Sequence, residues 1–144
     1  NLDYYKKPHP KSLANDFGTA TIYPLIKKAG LNIPDALRTC TEHIAVQLDR
    51  AIARVNVTPS GDRHLLVTGG GAFNTFLVSR LEALLREQHI VVVVPDASLV
   101  NFKEALIMAF IGVLRWRQEY NVLSSVTGAR RNSIGGALWN GQDA

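Results

Sequence analysis

The stretch that decides the fold runs from His64 to Leu85 and reads HLLVTGGGAFNTFLVSRLEALL. Its first five residues are largely apolar and are followed by three glycines, which predicts a short strand and then a tight turn. After the glycines, leucines at positions 77, 81, 84 and 85 recur on one side of a predicted helix. The pattern indicates strand, glycine-rich turn and helix. It leaves open whether the turn binds a phosphate or only reverses the chain.

A second strand is predicted at IVVVVPD, residues 90–96. Its valines do not alternate with polar residues, which is typical of a strand covered by helices on both faces of a parallel sheet. With the preceding strand and helix it makes a parallel β-α-β unit, for which a right-handed crossover is expected. Because an independently stable sheet usually needs three or more strands, we expect part of the fold to lie outside this chain.

A long helix is predicted before this unit, over residues 33–55. Pro34 suits its first turn, and Asp35 suits the positive end of the helix. Apolar residues recur there at spacings of three and four, which predicts one buried face. That face consists of Leu37, Cys40, Ile44, Leu48, Ile52 and Val55. Cys40 is accordingly interpreted as a small core residue.

The last long helix is predicted over residues 101–120. From Ala105 to Trp116 it is apolar nearly all round, so we expect more than one neighbour to bury it. This run is shorter than the roughly 18 residues of a membrane-spanning helix, and a buried core helix is the better interpretation. Trp116 and Trp139 are predicted to be core residues.

The amino-acid composition limits which classes of protein this chain can belong to. The 144 residues suit one domain, and 47% hydrophobic against 19% charged residues exclude a disordered chain. Cys40 is the single cysteine, which excludes an intramolecular disulfide and favours a reducing, cytosolic setting. The net charge of +4 does not come with the long basic stripe and aromatics of a nucleic-acid surface. The four histidines lack metal-ligand spacing, so no metal site is predicted.

The glycines have two interpretations. A glycine-rich turn before a helix can direct backbone N–H groups at a phosphate, which approaches closely because no Cβ intervenes. The alternative is a tight turn without a ligand. A Walker A loop is excluded because Ala72, Phe73 and Asn74 follow the glycines where that loop needs a lysine. A dinucleotide fingerprint fails at its sixth position, Asn74, and Asp96 is more simply a turn or cap residue than a ribose ligand.

Four stretches in the same order carry a resemblance to a known family. VTGGGAFNTFL resembles the adenosine-phosphate loop of the actin-like sugar kinases, and more narrowly the GGGAxN segment of anhydro-N-acetylmuramic acid kinases. PKS at 10–12, KEALIMAF at 103–110 and VTGAR at 126–130 agree as well. EALIMAFIGVLRWR and TGARRNSIGGALW look most like the Bacteroidetes branch of that family.

The resemblance implies an α/β fold, the C-terminal part of an actin-like (ribonuclease H-like) ATPase domain. Residues 1–144 would form a single C-terminal lobe of a two-domain kinase. The first domain, with its phosphate loop and catalytic aspartate, and the early strands of the second would lie outside the chain. No catalytic residue is then expected here, and the chain alone is expected to be inactive.

The implied reaction uses ATP and Mg²⁺ in the cytoplasm. It opens 1,6-anhydro-N-acetylmuramic acid and phosphorylates it to N-acetylmuramic acid 6-phosphate during cell-wall recycling. The implied partners are the missing N-terminal domain and the amino-sugar substrate, with neither nucleic acid nor membrane, and a homodimer is allowed for. The alternative is a non-catalytic nucleotide- or sugar-binding lobe of a degenerate actin-like kinase.

Carried over by position, the resemblance implies a nucleotide-binding set of Gly69, Gly70, Gly71, Ala72 and Asn74. Asn74 is first of all a candidate helix cap and secondly a ligand contact.

The family's acidic position in the sugar pocket matches Glu104, for which stabilisation in a first helical turn is an equal alternative. Lys11 and Ser12 match PKS, and Ser12 is more simply a helix cap. Two departures put the sugar's identity in doubt. Phe73 stands where many members carry a polar residue, and residues 106–108 are bulkier than usual.

Overall fold

The computed structural model of the chain describes residues 2–55, 61–139 and 141. The helices of four or more α-helical residues are α1 (Tyr23–Ala29), α2 (Ile33–Ile52), α3 (Thr75–Leu85), α4 (Ala97–Trp116) and α5 (Ser124–Thr127), and the strands are β1 (Arg63–Leu66) and β2 (Ile90–Val93). The chain divides into two compact units. We call Ala14–Lys103 the sheet unit, and Asn1–Leu13 with Glu104–Ala144 the terminal unit.

The predicted parallel β-α-β unit is confirmed in the sheet unit. β1 pairs with β2 in parallel, with Arg63 opposite Ile90 and Leu66 opposite Val93. The N–H of Val67 donates to the carbonyl of Val93 at 2.9 Å, which continues the pairing just past the strand. Among the described residues, the sheet has these two strands. The mixed α/β class predicted from the sequence is therefore confirmed.

The core of the sheet unit lies between α2, α3 and the sheet. Leu81 and Leu85 on α3 are fully buried, together with Ala45 on α2, and Ile90 on β2 is nearly so. Leu77 and Leu84 pack against this cluster, so the predicted leucine face of α3 is confirmed. Burial of such side chains stabilises a fold by roughly 1.5–3 kcal/mol each, which makes this cluster the main anchor of the unit.

Helix α2 begins and ends close to its predicted bounds. The side-chain oxygen of Asn32 accepts from the N–H of Asp35 at 2.9 Å and caps the helix, with Pro34 in the first turn. The predicted buried face was largely wrong, because Ala45 is the buried residue of this helix. Leu37, Ile44, Leu48 and Val55 are exposed, and Cys40 is half-buried. Ile52, at the end of the predicted face, does pack against the core cluster, so the prediction holds there and fails for most of the stripe.

The expectation that residues 91–94 would be covered on both faces was also wrong. Val91 is exposed and so is Val94, while Val92 and Val93 are half-buried. A two-stranded sheet with helices against one side leaves apolar side chains on its other side uncovered. The non-alternating pattern thus identified a strand that needs cover, but not the element that covers it.

Helix α4 departs most from expectation. It starts at Ala97, four residues earlier than predicted, because the carboxylate of Asp96 accepts from the N–H of Leu99 at 3.0 Å and caps it. Asp96 is therefore a cap residue, as its simpler interpretation held. The predicted burial was wrong: Val100 is the buried residue of α4, and Trp116 is exposed. The residues that the structure describes leave most of this apolar helix uncovered.

By length and composition, α4 is the one helix in the described ranges that could cross a membrane. The predicted apolar run from Ala105 was too short only because the true helix includes the residues from Ala97 onward. The core helix of a globular protein meets the same criterion, so this single helix is weak evidence for a membrane span.

Side-chain amides hold the terminal unit together. Asn121 donates to the carbonyls of Ile111 and Gly135 at 3.3 and 3.1 Å, and its oxygen accepts from the N–H of Gly135 at 2.7 Å. Residues 122 and 133 form an antiparallel bridge, which brings the tail back to the segment after α4. Hydrogen bonds thus hold the segment around residues 133–135 in place, whereas Trp139, predicted as a core residue, is 82% exposed.

Candidate functional site

The glycine turn, Gly69–Phe73, joins β1 to α3. Gly69 has φ 77° and ψ −177°, a conformation that is essentially restricted to glycine. From Gly70 to Phe73 the chain makes one 3-10 turn, in which the N–H of Ala72 donates to the carbonyl of Gly69 at 2.9 Å. The chain reversal itself therefore requires the first glycine.

The other two glycines have no such conformational reason. Neither Gly70 nor Gly71 has a positive φ. A Cβ built on Gly70 would meet nothing within 4 Å, and one on Gly71 would meet only Leu77 Cδ2 at 3.9 Å. Their N–H groups precede the first hydrogen bond of the turn, and such leading N–H groups lack a partner within their own helix. The turn thus offers open space beside two backbone donors.

The residues that follow the glycines hold the turn in place. Ala72 is buried, so it packs under the turn and its methyl group does not reach solvent. The side-chain oxygen of Asn74 accepts from the N–H of Leu77 at 3.0 Å, which confirms Asn74 as the cap of α3. The Nδ2 amide group of the same side chain keeps its two donors.

Helix α3 is fastened to α2 by polar contacts that sequence reasoning missed. Arg80 Nε lies 2.8 Å from Glu42 Oε1 and 3.0 Å from Glu42 Oε2. Gln88 Nε2 also donates to Asp49 near the other end of α3. These partners lie 38 and 39 positions apart along the chain, so no local pattern could have paired them.

Two exposed phenylalanines border the glycine turn. Phe73 closes the 3-10 turn and is 56% exposed, and Phe76 in the first turn of α3 is 40% exposed. The guanidinium carbon of Arg38 lies 6.0 Å from the centre of the Phe76 ring, within the range of a cation–π contact. Exposed aromatic rings therefore lie at the end of the glycine turn and just after it, and Arg38 of α2 approaches the second of them.

Glu104 belongs to the terminal unit, whereas the glycine turn belongs to the sheet unit. It is an exposed, eighth residue of α4, whose first turn holds no acidic residue. The alternative explanation for Glu104, stabilisation by the helix dipole in a first turn, was therefore wrong, because that effect fades beyond the first turn.

Of the two PKS residues, Lys11 directs its ammonium group towards the terminal unit's own aromatics. Lys11 Nζ lies 5.2 Å from the centre of the Tyr4 ring and 3.4 Å from the carbonyl oxygen of Tyr5. Burial raises the pKa of the Tyr5 phenol, and Tyr4 adds to this. Ser12 was predicted as a helix cap and is not one, because the next helical segment begins five or more residues later.

No group of three or more His, Cys, Asp and Glu side chains that could hold a metal ion occurs in the described part of the chain.

The fold and the turn define an α/β protein in which a glycine turn leads from a parallel strand into a capped helix. The family model of anhydro-N-acetylmuramic acid kinase matches residues 1–141. The chain belongs to this family.

Three curated relatives illustrate the match, all named anhydro-N-acetylmuramic acid kinase. Those of Sulfurovum sp. (strain NBC37-1) and Hydrogenovibrio crunogenus are 34% and 32% identical over 139 and 143 residues, or 94% and 95% of this chain. That of Saccharophagus degradans is 27% identical over 139 residues. The chain spans only 36–37% of the length of these relatives.

Proposed function

We propose that this chain is the nucleotide-binding lobe of an ATP-dependent kinase that opens and phosphorylates 1,6-anhydro-N-acetylmuramic acid, giving N-acetylmuramic acid 6-phosphate. The family match over residues 1–141 carries the proposal. The whole reaction belongs to a longer polypeptide, since the relatives that bear this name are more than twice as long as the chain. The expected setting is the cytoplasm, in cell-wall recycling.

The glycine turn is the proposed phosphate site. Gly70 and Gly71 leave room for phosphate oxygens where any other residue would place a Cβ. Backbone N–H groups in a turn of this kind favour an anion. Gly69 shapes the turn and Ala72 supports it from below. Asn74 holds the start of α3 and keeps an amide donor for the nucleotide.

The proposed architecture is the C-terminal part of an actin-like domain. Two features of the described residues support an additional partner within the same polypeptide: the sheet has two strands with no further strand at either edge, and the apolar α4 is largely exposed. The catalytic groups would come from that partner, so the 144 residues alone would not turn over ATP. Mg²⁺ would be carried on the nucleotide phosphates, as is common for this ion, because the described residues offer no cluster of ligands for it.

Glu104 is proposed to face the amino sugar. Its exposure leaves the carboxylate available, and its position beyond the first turn of α4 removes the helix-dipole explanation for an acid there. In the longer polypeptide we expect Glu104→Gln to raise KM for the sugar or lower kcat, with the affinity for ATP unchanged.

The decisive experiment is a coupled kinase assay on the full-length protein, with and without the anhydro-sugar, with the phosphorylated product identified by mass spectrometry. We expect sugar-dependent release of ADP from the full-length protein and none from the 144-residue chain. Gly70→Ala should keep the fold and weaken ATP binding by roughly tenfold or more, since the added methyl group would occupy the space of a phosphate oxygen. Ala83→Gly, in the last turn of α3, is a control that changes the backbone away from the glycine turn.

A full-length protein that binds ATP or sugar without turnover would contradict the kinase proposal and favour a non-catalytic binding lobe. Robust ATPase activity of the 144 residues alone would contradict the proposal that the catalytic groups come from another lobe of the polypeptide. Unchanged ATP affinity in Gly70→Ala would remove the glycine turn from the site.

A further inference from the structure

Phe73, the residue that closes the glycine turn, is an exposed aromatic residue. Isolated exposed apolar residues are common on proteins and need no explanation. Phe73 differs through its position, because it belongs to the same 3-10 turn as Gly70 and Gly71. At about 2 Å of rise per residue, it stands roughly 6 Å along the turn from Gly70. A large exposed ring therefore lies within the length of one nucleotide from the open backbone donors.

The neighbouring aromatic has a different environment. Phe76 is half-covered, and the Arg38 guanidinium approaches its ring. Phe73 is the more exposed of the two. Stacking on an aromatic ring suits any nucleobase, because every base has a π face.

The side chains of Phe73 and Asn74 do not distinguish one purine from the other. A phenyl ring has neither donor nor acceptor. The oxygen of Asn74 is committed to the N–H of Leu77, which leaves its amide donors. Adenine and guanine share the ring acceptors that an amide donor can reach. They differ in the group at position 6, which a site can discriminate strongly only by hydrogen bonding to it.

We propose that Phe73 stacks on the purine base of the nucleotide, and that this turn therefore accepts ATP and GTP with little discrimination. The inference rests on the proposed function, since it takes the phosphates to lie at Gly70 and Gly71. It adds that this turn recognises the face of the purine base and not the hydrogen-bonding groups at the edge of the base.

The test is a calorimetric titration of the full-length protein with ATP, GTP, CTP and inorganic tripolyphosphate. Wild type should bind ATP and GTP with Kd values within about threefold of each other, and CTP more weakly because a pyrimidine stacks over a smaller area. Phe73→Leu keeps an apolar side chain but removes the π face, and should weaken both purine nucleotides by roughly fivefold or more. Tripolyphosphate should bind this variant and wild type equally.

Phe73→Trp is the matched variant that keeps a stacking surface, and it should retain purine affinity. Because Phe73 is exposed, both variants should melt at the wild-type temperature, which separates loss of binding from loss of folding. Equal purine affinity in Phe73→Leu and wild type, or preference for ATP over GTP of about tenfold or more, would overturn the stacking proposal. Wild type that binds neither a nucleotide nor tripolyphosphate would instead overturn the proposed function, and this inference with it.

Discussion

Helices α3 and α4 have similar apolar content but opposite environments. On α3, Leu81 and Leu85 are fully buried against α2 and the sheet. On α4, Leu106 is 62% and Met108 is 65% exposed. An apolar stripe therefore shows that a helix needs cover, while the source of that cover depends on which other elements the polypeptide provides. A contiguous exposed apolar surface usually marks an interaction site, which fits a chain that spans 36% of its relatives.

Truncation of one leucine on each helix tests the difference between α3 and α4 most directly. Leu81→Ala should destabilise the 144-residue chain by about 2–5 kcal/mol, because it opens a cavity in a closely packed core. Leu106→Ala should change the free energy of unfolding by less than about 0.5 kcal/mol, as is usual for an exposed position. Urea denaturation of the chain, followed by circular dichroism, measures both.

The same two variants should behave differently in the longer polypeptide. If the remainder of that protein covers α4, the cost of Leu106→Ala should rise there towards that of a buried leucine, about 2 kcal/mol or more. Equal losses for the two variants in the isolated 144 residues would contradict the difference between the helices.

A second contrast lies between two glycines of the terminal unit. A Cβ at Gly135 would come within 2.9 Å of Val122 Cγ2, whereas a Cβ at Gly112 on α4 would meet nothing within 4 Å. Gly135→Ala should therefore cost about 1–3 kcal/mol as the tail is pushed from its bridge. Gly112→Ala should stabilise the chain by about 0.5–1 kcal/mol, because alanine favours a helix interior. Thermal unfolding of both variants checks the two signs, and stabilisation by Gly135→Ala would show that the tail packs differently.

Local sequence signals predicted the part of the fold in which neighbours along the chain interact. The leucine spacing of α3, the asparagine cap at position 74 and the parallel pairing of two strands all follow from short-range geometry. The buried strip of α2 could not be predicted in this way. It centres on Ala45, a small residue that lets α3 approach. The sequence pattern instead favoured the stripe of larger apolar residues, most of which are exposed.

At the candidate site, the sequence predicted a glycine-rich turn but could not rank the three glycines. Backbone angles are needed to see that Gly69 adopts a conformation that requires glycine. Gly70 and Gly71 do not need glycine for their conformation, and they differ in leaving open space beside the backbone. The start of α4 was missed because the helical spacing of apolar residues begins only after its first turn. Asp96 was expected as a cap or turn residue, and it caps α4 by accepting from the N–H of Leu99. The contact of Arg38 with Phe76 depends on how α2 packs on α3 and has no local sequence signal.

The two roles considered for Asn74 can be separated by matched substitutions. Asn74→Ala should destabilise the chain by about 1 kcal/mol through loss of the cap, whereas Asn74→Ser should keep most of it. Neither serine nor alanine keeps the amide donors, so a ligand contact predicts weaker ATP binding by the full-length protein in both variants. Wild-type ATP affinity in Asn74→Ser would restrict Asn74 to capping α3, and wild-type stability in Asn74→Ala would remove the cap.

The smallest expected effect comes from His43 on α2. Burial lowers the pKa of His43, and the Arg50 guanidinium adds to this. Since the unfolded chain has an ordinary histidine pKa of about 6.5, it binds more protons than the folded chain just below that pH. Stability is therefore highest above about pH 6.5 and falls as the pH drops towards the lowered pKa of the folded state.

His43→Gln should flatten that part of the profile, which can be measured from urea midpoints at about pH 7.5 and 5.5. The wild-type chain should lose slightly more stability than the variant between these values. His9→Gln removes an exposed histidine of the terminal unit and is the matched control. A difference in slope confined to His43→Gln would show that the packed sheet unit resists a charge there. Parallel profiles for all three proteins would contradict burial of His43, and with it the close packing of α2 in the sheet unit.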